Sequence, residues 1–125
     1  MSHMLKERRK YKRFDVSIPV RLRLDPAKDF ATLEKTRDVS KEGMQIITQQ
    51  EVKVGSRVDM ELLLPNTKEE ILARGEVKWH IDEGTEQNKK KRVGIEYTMF
   101  KPFDRNKMLD YAYDYWLVNK LKEVT

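Results

Sequence analysis

From Val16 to Leu24 apolar and polar residues alternate, with Val16, Ile18, Val20, Leu22 and Leu24 on one side and Ser17, Pro19, Arg21 and Arg23 on the other. A period of two is that of a strand with one buried face. Pro19 has no N–H for a ladder and marks an edge or a bulge. Thr32 to Val39 reads as a second, weaker strand, and Met44, Ile46 and Thr48 give a short third. Val58, Met60, Leu62 and Leu64 alternate up to Pro65-Asn66, Ile71 to Trp79 form a fifth strand, and Val93, Ile95, Tyr97 and Met99 a sixth. Asp25-Pro26 and Val54-Gly55-Ser56 are turn signals. Asp82–Lys91 is polar throughout and reads as a mobile loop between the last two strands.

The period changes after Pro102. Met108, Leu109, Ala112, Tyr115, Trp116 and Val118 recur at threes and fours, Pro102 and Asp104 signal a helix start, and Lys120 and Lys122 close the run. A helix from about Asp104 to Lys122 is expected, with Tyr111 and Tyr115 docking it and Tyr113 exposed. Trp79 and Trp116 both fall on apolar sides and are expected to pack in the core. Several short strands at close spacing followed by one helix predict an all-β fold, a small barrel or sandwich, with a C-terminal helix.

A length of 125 residues suits one domain with its own core. There is no cysteine, which excludes disulfides, thiolate metal sites and a cysteine nucleophile, and fits a reducing, cytoplasmic setting. No apolar run reaches the ~18–20 residues of a membrane span, and the basic N-terminus lacks the apolar stretch of a signal peptide. The net charge of +5 is unevenly placed. Lys6, Arg8, Arg9, Lys10, Lys12 and Arg13 stand against Glu7 alone, so the first 13 residues carry the whole excess. The chain thus divides into a basic arm at 1–13, a neutral barrel body at 14–100 and a helix at 101–125, all one domain. Met1-Ser2-His3-Met4 reads as a cloning remnant with Met4 the native start.

Catalytic chemistry is not visible. His80 is the one histidine outside the remnant, so no ordinary zinc site can be built. There is no Gly-rich phosphate loop with a following lysine and no G-x-S-x-G elbow. Glu69-Glu70 and Asp82-Glu83 read as solvated surface. A protein that is not an enzyme, without cofactor or metal, is expected.

Two segments stand out. Arg8-Arg9-Lys10-Tyr11-Lys12-Arg13 contains R-x-x-x-R, and Asp38-Val39-Ser40-Lys41-Glu42-Gly43 is a D-x-S-x-x-G run. A guanidinium fork pairs with phosphate or with the O6/N7 edge of guanine. A carboxylate at Asp38 matches the paired N–H donors on the other edge of that base. Ser40 adds a hydroxyl, and Gly43 permits a positive φ in a tight turn and leaves room for a ligand. Each piece also has a plain structural reading: a solvated charge run for the arm, and a turn between strands for D-x-S-x-x-G.

The order of the two motifs resembles the PilZ domain family, the bacterial receptor module for cyclic di-GMP (c-di-GMP). Val54-Gly55, Gly75-Glu76-Val77-Lys78-Trp79 and Arg92-Val93-Gly94-Ile95-Glu96-Tyr97 are similar to later family segments, so the resemblance runs from about Glu7 to Lys122. It implies a six-stranded antiparallel β-barrel with a helix after it and a flexible basic N-terminal arm. It also implies that Arg9 and Arg13, helped by Arg8, clasp phosphates and guanine edges, that Asp38 and Ser40 bind a guanine, and that Gly43 shapes the loop.

The function expected is a c-di-GMP receptor or adaptor. Its arm folds over the barrel when ligand neutralises the charge, and, with no output domain attached, it signals to a partner protein in trans. Outputs in motility, biofilm or the envelope fit this reading. The alternatives are a nucleic-acid-binding small barrel and a PilZ-like adaptor working through protein contacts without ligand. Binding of one or two c-di-GMP molecules, docking of the helix on its own barrel or on a second subunit of a homodimer, and the roles of Tyr11 and Lys89–Arg92 stay open.

Overall fold

The computed structural model describes residues 11–24, 28–31, 33–65 and 67–124. Seven strands precede one helix: β1 (Phe14–Asp15), β2 (Pro19–Arg23), β3 (Leu33–Val39), β4 (Gly43–Thr48), β5 (Arg57–Leu63), β6 (Glu70–Gly84), β7 (Lys89–Phe100) and α1 (Pro102–Val124). The order is β1-β3-β2-β5-β6-β7-β4, all pairings antiparallel, and β4 returns to pair with β3. Six strands therefore close into the barrel expected from the resemblance, and β1 is an extra strand laid along the far end of β3.

The alternation from Val16 to Leu24 belongs to one path broken in two. β1 pairs Asp15 with Asp38, β2 pairs Pro19 with Lys35, and Val16–Ile18 bridge them outside the ladder. The break is closed by Thr36, whose buried hydroxyl accepts from the Ile18 amide at 2.9 Å and donates to the Val16 carbonyl at 2.7 Å. Pro19, lacking an amide hydrogen, opens β2 at the point where such a donor would go unused.

The barrel interior takes one side of every strand. Val20, Leu22, Met60, Leu62, Ile71, Val77 and Ile46 are buried within it, and each large aliphatic side chain so buried stabilises the fold by roughly 2 kcal/mol. Met108 and Ala112 of α1 join this core, with Leu109 and Tyr111 packed against it. Proline at the first helical position, with Asp104 in the first turn, suits the unpaired amides and positive dipole end there. No helix among the described residues is long and apolar enough to cross a membrane.

Four expectations change. First, Asp82–Lys91 is not a loop. β6 continues to Gly84 and β7 starts at Lys89, paired out to Gly84↔Lys89. The segment is polar because this hairpin is exposed beyond the core, so neither face is selected for apolar residues.

Second, Trp79 is not in the core. The β6–β7 register passes from Val77↔Ile95 to Trp79↔Gly94, leaving Lys78 as an extra residue. A bulge of this kind turns the next side chain to the other face, and Trp79 is 38% exposed on the barrel exterior.

Third, Trp116 is only half-buried, against Phe14 rather than inside the barrel. Fourth, Tyr115 does not dock the helix. It is exposed with its ring beside Tyr111, whereas Tyr113 meets Phe14 edge-on. Beyond Trp116 the apolar stripe of α1, with Leu117, Val118 and Leu121, runs past the barrel into solvent.

Candidate functional site

The β1–β3 register carries the site. Pairing Asp15 with Asp38 places Arg13, just before β1, beside the Asp38 carboxylate. Arg13 Nη1 donates to Asp38 Oδ1 at 3.0 Å. The β3–β4 register shifts between Thr36 and Asp38, leaving Arg37 as the extra residue, so Val39 turns inward opposite Met44 while Asp38 sits opposite Gln45, buried under Arg13. Burial raises the Asp38 carboxyl above the ordinary carboxylate range, the Arg13 charge and hydrogen bond opposing this and the nearby Asp15 charge adding to it.

Ser40 and Gly43 form the turn after β3. The Ser40 hydroxyl donates to the Gly43 carbonyl at 3.1 Å and accepts from the amides of Gly43 and Glu42 at 3.2 and 3.3 Å. All of these bonds stay inside the turn, and the side chain is buried. Gly43 does not use a positive φ, which among the described residues is found only at Gly55 and Gly84. Its reason is close approach: a Cβ there would run into the Ile95 carbonyl oxygen on β7. The turn is thus pinned to the barrel at both ends, and Tyr97 N donates to the Glu42 carbonyl at 3.0 Å as a further tie.

Next to the Arg13–Asp38 pair lies a small groove of about 100 Å³, bounded by Arg13, Glu42, Gly43, Lys78, Trp79 and Gly94. The indole of Trp79 covers Gly94, where any Cβ would overlap the ring. The Arg92 guanidinium lies 5.9 Å from that ring's centre. Lys78 bonds Glu76 at 2.9 Å and comes within 3.9 Å of Glu96. The groove therefore offers two cations, each held by a carboxylate, and an aromatic face.

The structure brings Arg13, Asp38, Ser40 and Gly43 into one corner. Arg8 and Arg9 lie outside the described residues. Tyr11 stays at the turn, with Lys41 Nζ 5.0 Å from its ring centre. Within Lys89–Arg92, Lys91 pairs with Asp82 at 2.9 Å and Arg92 with Glu83 at 3.3 Å along the hairpin. Trp79 was assigned to the core by its alternation. Its exterior position comes from the bulge at Lys78, which the alternation of residues does not announce.

A PilZ domain model matches residues 7–114. The chain belongs to the PilZ domain family. Solved structures with the same fold include the PilZ domain of YcgR with c-di-GMP from Escherichia coli, at 11% identity and a TM-score of 0.70, covering 94% of this PilZ chain and 98% of that one. The MrkH–c-di-GMP complex of K. pneumonia aligns at 18% identity with a TM-score of 0.74, and the Bacillus subtilis inhibitor of motility MotI/DgrA at 17% with 0.68. These two alignments cover 93% and 89% of this chain but 56% and 52% of the others, so the PilZ chain spans about half the length of those proteins. No curated protein matches it.

Proposed function

We propose that this PilZ domain is a cytoplasmic receptor for c-di-GMP that hands the signal to a separate protein. The observation that carries this is the Arg13–Asp38 pair opening onto the groove beside Trp79. Structures of YcgR and MrkH with c-di-GMP on the same fold support the choice of ligand.

Each group has a role that its chemistry dictates. Arg13 presents N–H groups not used by Asp38 and grips a phosphate or a guanine edge. Arg9 and Arg8, upstream in the same motif, supply further cations. Asp38 accepts from the N1–H and N2–H of guanine. The indole of Trp79 provides a stacking surface for a base. Ser40 and Gly43 contribute by holding the turn rigid, since the hydroxyl's bonds lie within it. Nothing in this arrangement asks for bond-making, and the role is binding rather than catalysis.

Titration calorimetry with c-di-GMP tests the reading. Heat is expected at micromolar protein, with large losses in Arg9→Ala and Arg13→Ala. Absence of heat, or binding by Arg9→Ala and Arg13→Ala unchanged from the parent, overturns it. In a Trp116→Phe background Trp79 is the sole tryptophan, and its emission should change on titration.

A further inference from the structure

A second arginine cluster lies on the outer face of β2, β5 and β6. The register makes a cross-strand row, Arg23 opposite Asp59 and Asp59 opposite Arg74, with Arg57 two residues before Asp59 on the same face. Asp59 Oδ2 accepts from Arg23 Nε and Nη2 at 3.1 and 2.9 Å, and Oδ1 from Arg74 Nε at 2.8 Å. Arg57 Nη2 is 3.5 Å from Oδ2. Phe30 lies under Arg23, with the guanidinium carbon 4.7 Å from its ring centre.

The acid is beneath and the cations are above. Asp59 shows 8% of its side chain to solvent, against 29%, 39% and 49% for Arg23, Arg74 and Arg57. What the face presents is guanidinium. Three cations surround Asp59, and the next acid on the face, Glu76 opposite Arg57, is itself bonded to Lys78, so the cluster stays net positive. Like charges held this close repel one another, and an anion from outside relieves that repulsion. Each guanidinium carries about five N–H donors, so most of those on Arg57 and Arg74 point away from Asp59. The buried carboxylate fixes the forks in place before anything binds.

We propose that this face docks an acidic segment of another protein, whose Asp or Glu carboxylates take the outward N–H groups of Arg57 and Arg74. Two exposed apolar neighbours favour protein over nucleic acid. Leu72 and Met99, exposed and in register with Glu61 and Arg74, give apolar contact to side chains of a peptide. None of these residues lines the Arg13–Trp79 groove, so the proposal goes beyond the ligand reading and stands without it.

The test is fluorescence anisotropy at low salt, where exposed charges are least screened, with the full chain and a short labelled peptide of repeated Glu-Asp-Leu. Binding is expected, and Arg57→Gln/Arg74→Gln should weaken it by about tenfold or more. That variant keeps Arg23 on Asp59, and a single cooperative melt above the assay temperature confirms its fold. Lys89→Gln/Lys90→Gln, on the hairpin, removes the same charge and should leave affinity unchanged. No binding by the parent protein, an equal loss in the hairpin variant, or tighter binding of duplex DNA that the arginine variant abolishes would overturn the proposal.

Discussion

Arg13 and Asp38, separated by 25 residues in sequence, meet through one N–H···O bond of 3.0 Å. The pair leaves Arg13 with free donors and leaves one Asp38 oxygen uncommitted to it, so both can also serve a ligand. Arg13→Ala is expected to weaken c-di-GMP binding by more than ~1.5 kcal/mol, as for hydrogen bonds to charged groups. Asp38→Ala should act on selectivity instead. Adenine lacks the paired donors that face Asp38, so the ratio of affinities for c-di-GMP and c-di-AMP, measured by calorimetry, should fall toward one.

The two buried aspartates should respond to pH in opposite senses. Burial, outweighing Arg13, raises Asp38, so the folded chain holds that proton more tightly than the unfolded one. Its contribution to stability is present below the ordinary value near about 3.9 and is lost as pH rises through the raised one. Asp38→Asn should therefore melt no lower than the parent at pH 7, while c-di-GMP affinity in the parent declines on acidification from above that ordinary value.

At Asp59 burial also pushes upward, but the bonds from Arg74 and Arg23 and the charges of Arg57 and Arg74 more than offset it, and the carboxyl is lowered. That stability is present above about 3.9 and is lost as pH falls through the lower folded value. Asp59→Asn should cost about 2–3 kcal/mol near neutrality. Denaturant titrations across pH should show the gap closing in acid; a gap independent of pH contradicts this account.

Gly94→Ala forces the Trp79 indole off β7, because the added methyl occupies the ring's place. Trp79 is partly exposed and can swing outward, so the stability change should be small, within about 1 kcal/mol. The effect on c-di-GMP binding should be larger, since the stacking surface moves. Thermal melts and calorimetry on the one variant separate the two.

Gly43→Ala is the contrasting case. Its methyl meets a backbone carbonyl at Ile95, which cannot swing away. Overpacking against backbone should cost about 1–3 kcal/mol and loosen the turn that carries Ser40, so melting temperature and ligand affinity should drop together.

The barrel was legible where one face of a strand meets the core. Val20, Leu22, Met60 and Leu62 announce their strands because burial imposes a period of two. The rule fails at bulges. Lys78 and Arg37 each add one residue to a ladder, and Trp79 and Val39 end on faces that alternation does not assign them. It fails also in the β6–β7 hairpin, where ion pairs such as Lys91–Asp82 replace apolar contacts. Of the site, the residue types were readable and their meeting was not, since Arg13 reaches Asp38 only through the pairing of Asp15 with Asp38. The Asp59 cluster left no motif, because its arginines come from three strands.

Phe14 stands edge-on to both Tyr113 and Trp116, with ring centres 6.1 and 6.0 Å away, and Lys12 Nζ lies 4.6 Å from the centre of the Trp116 ring. From Trp116 the helix runs on to Val124, about 12 Å at 1.5 Å per residue. From Leu117 to Glu123 every side chain of that stretch is exposed. Trp116 is where the exposed end of α1 meets the segment holding Lys12 and Phe14. A partner seated on that end of the helix would border the two residues that flank Arg13.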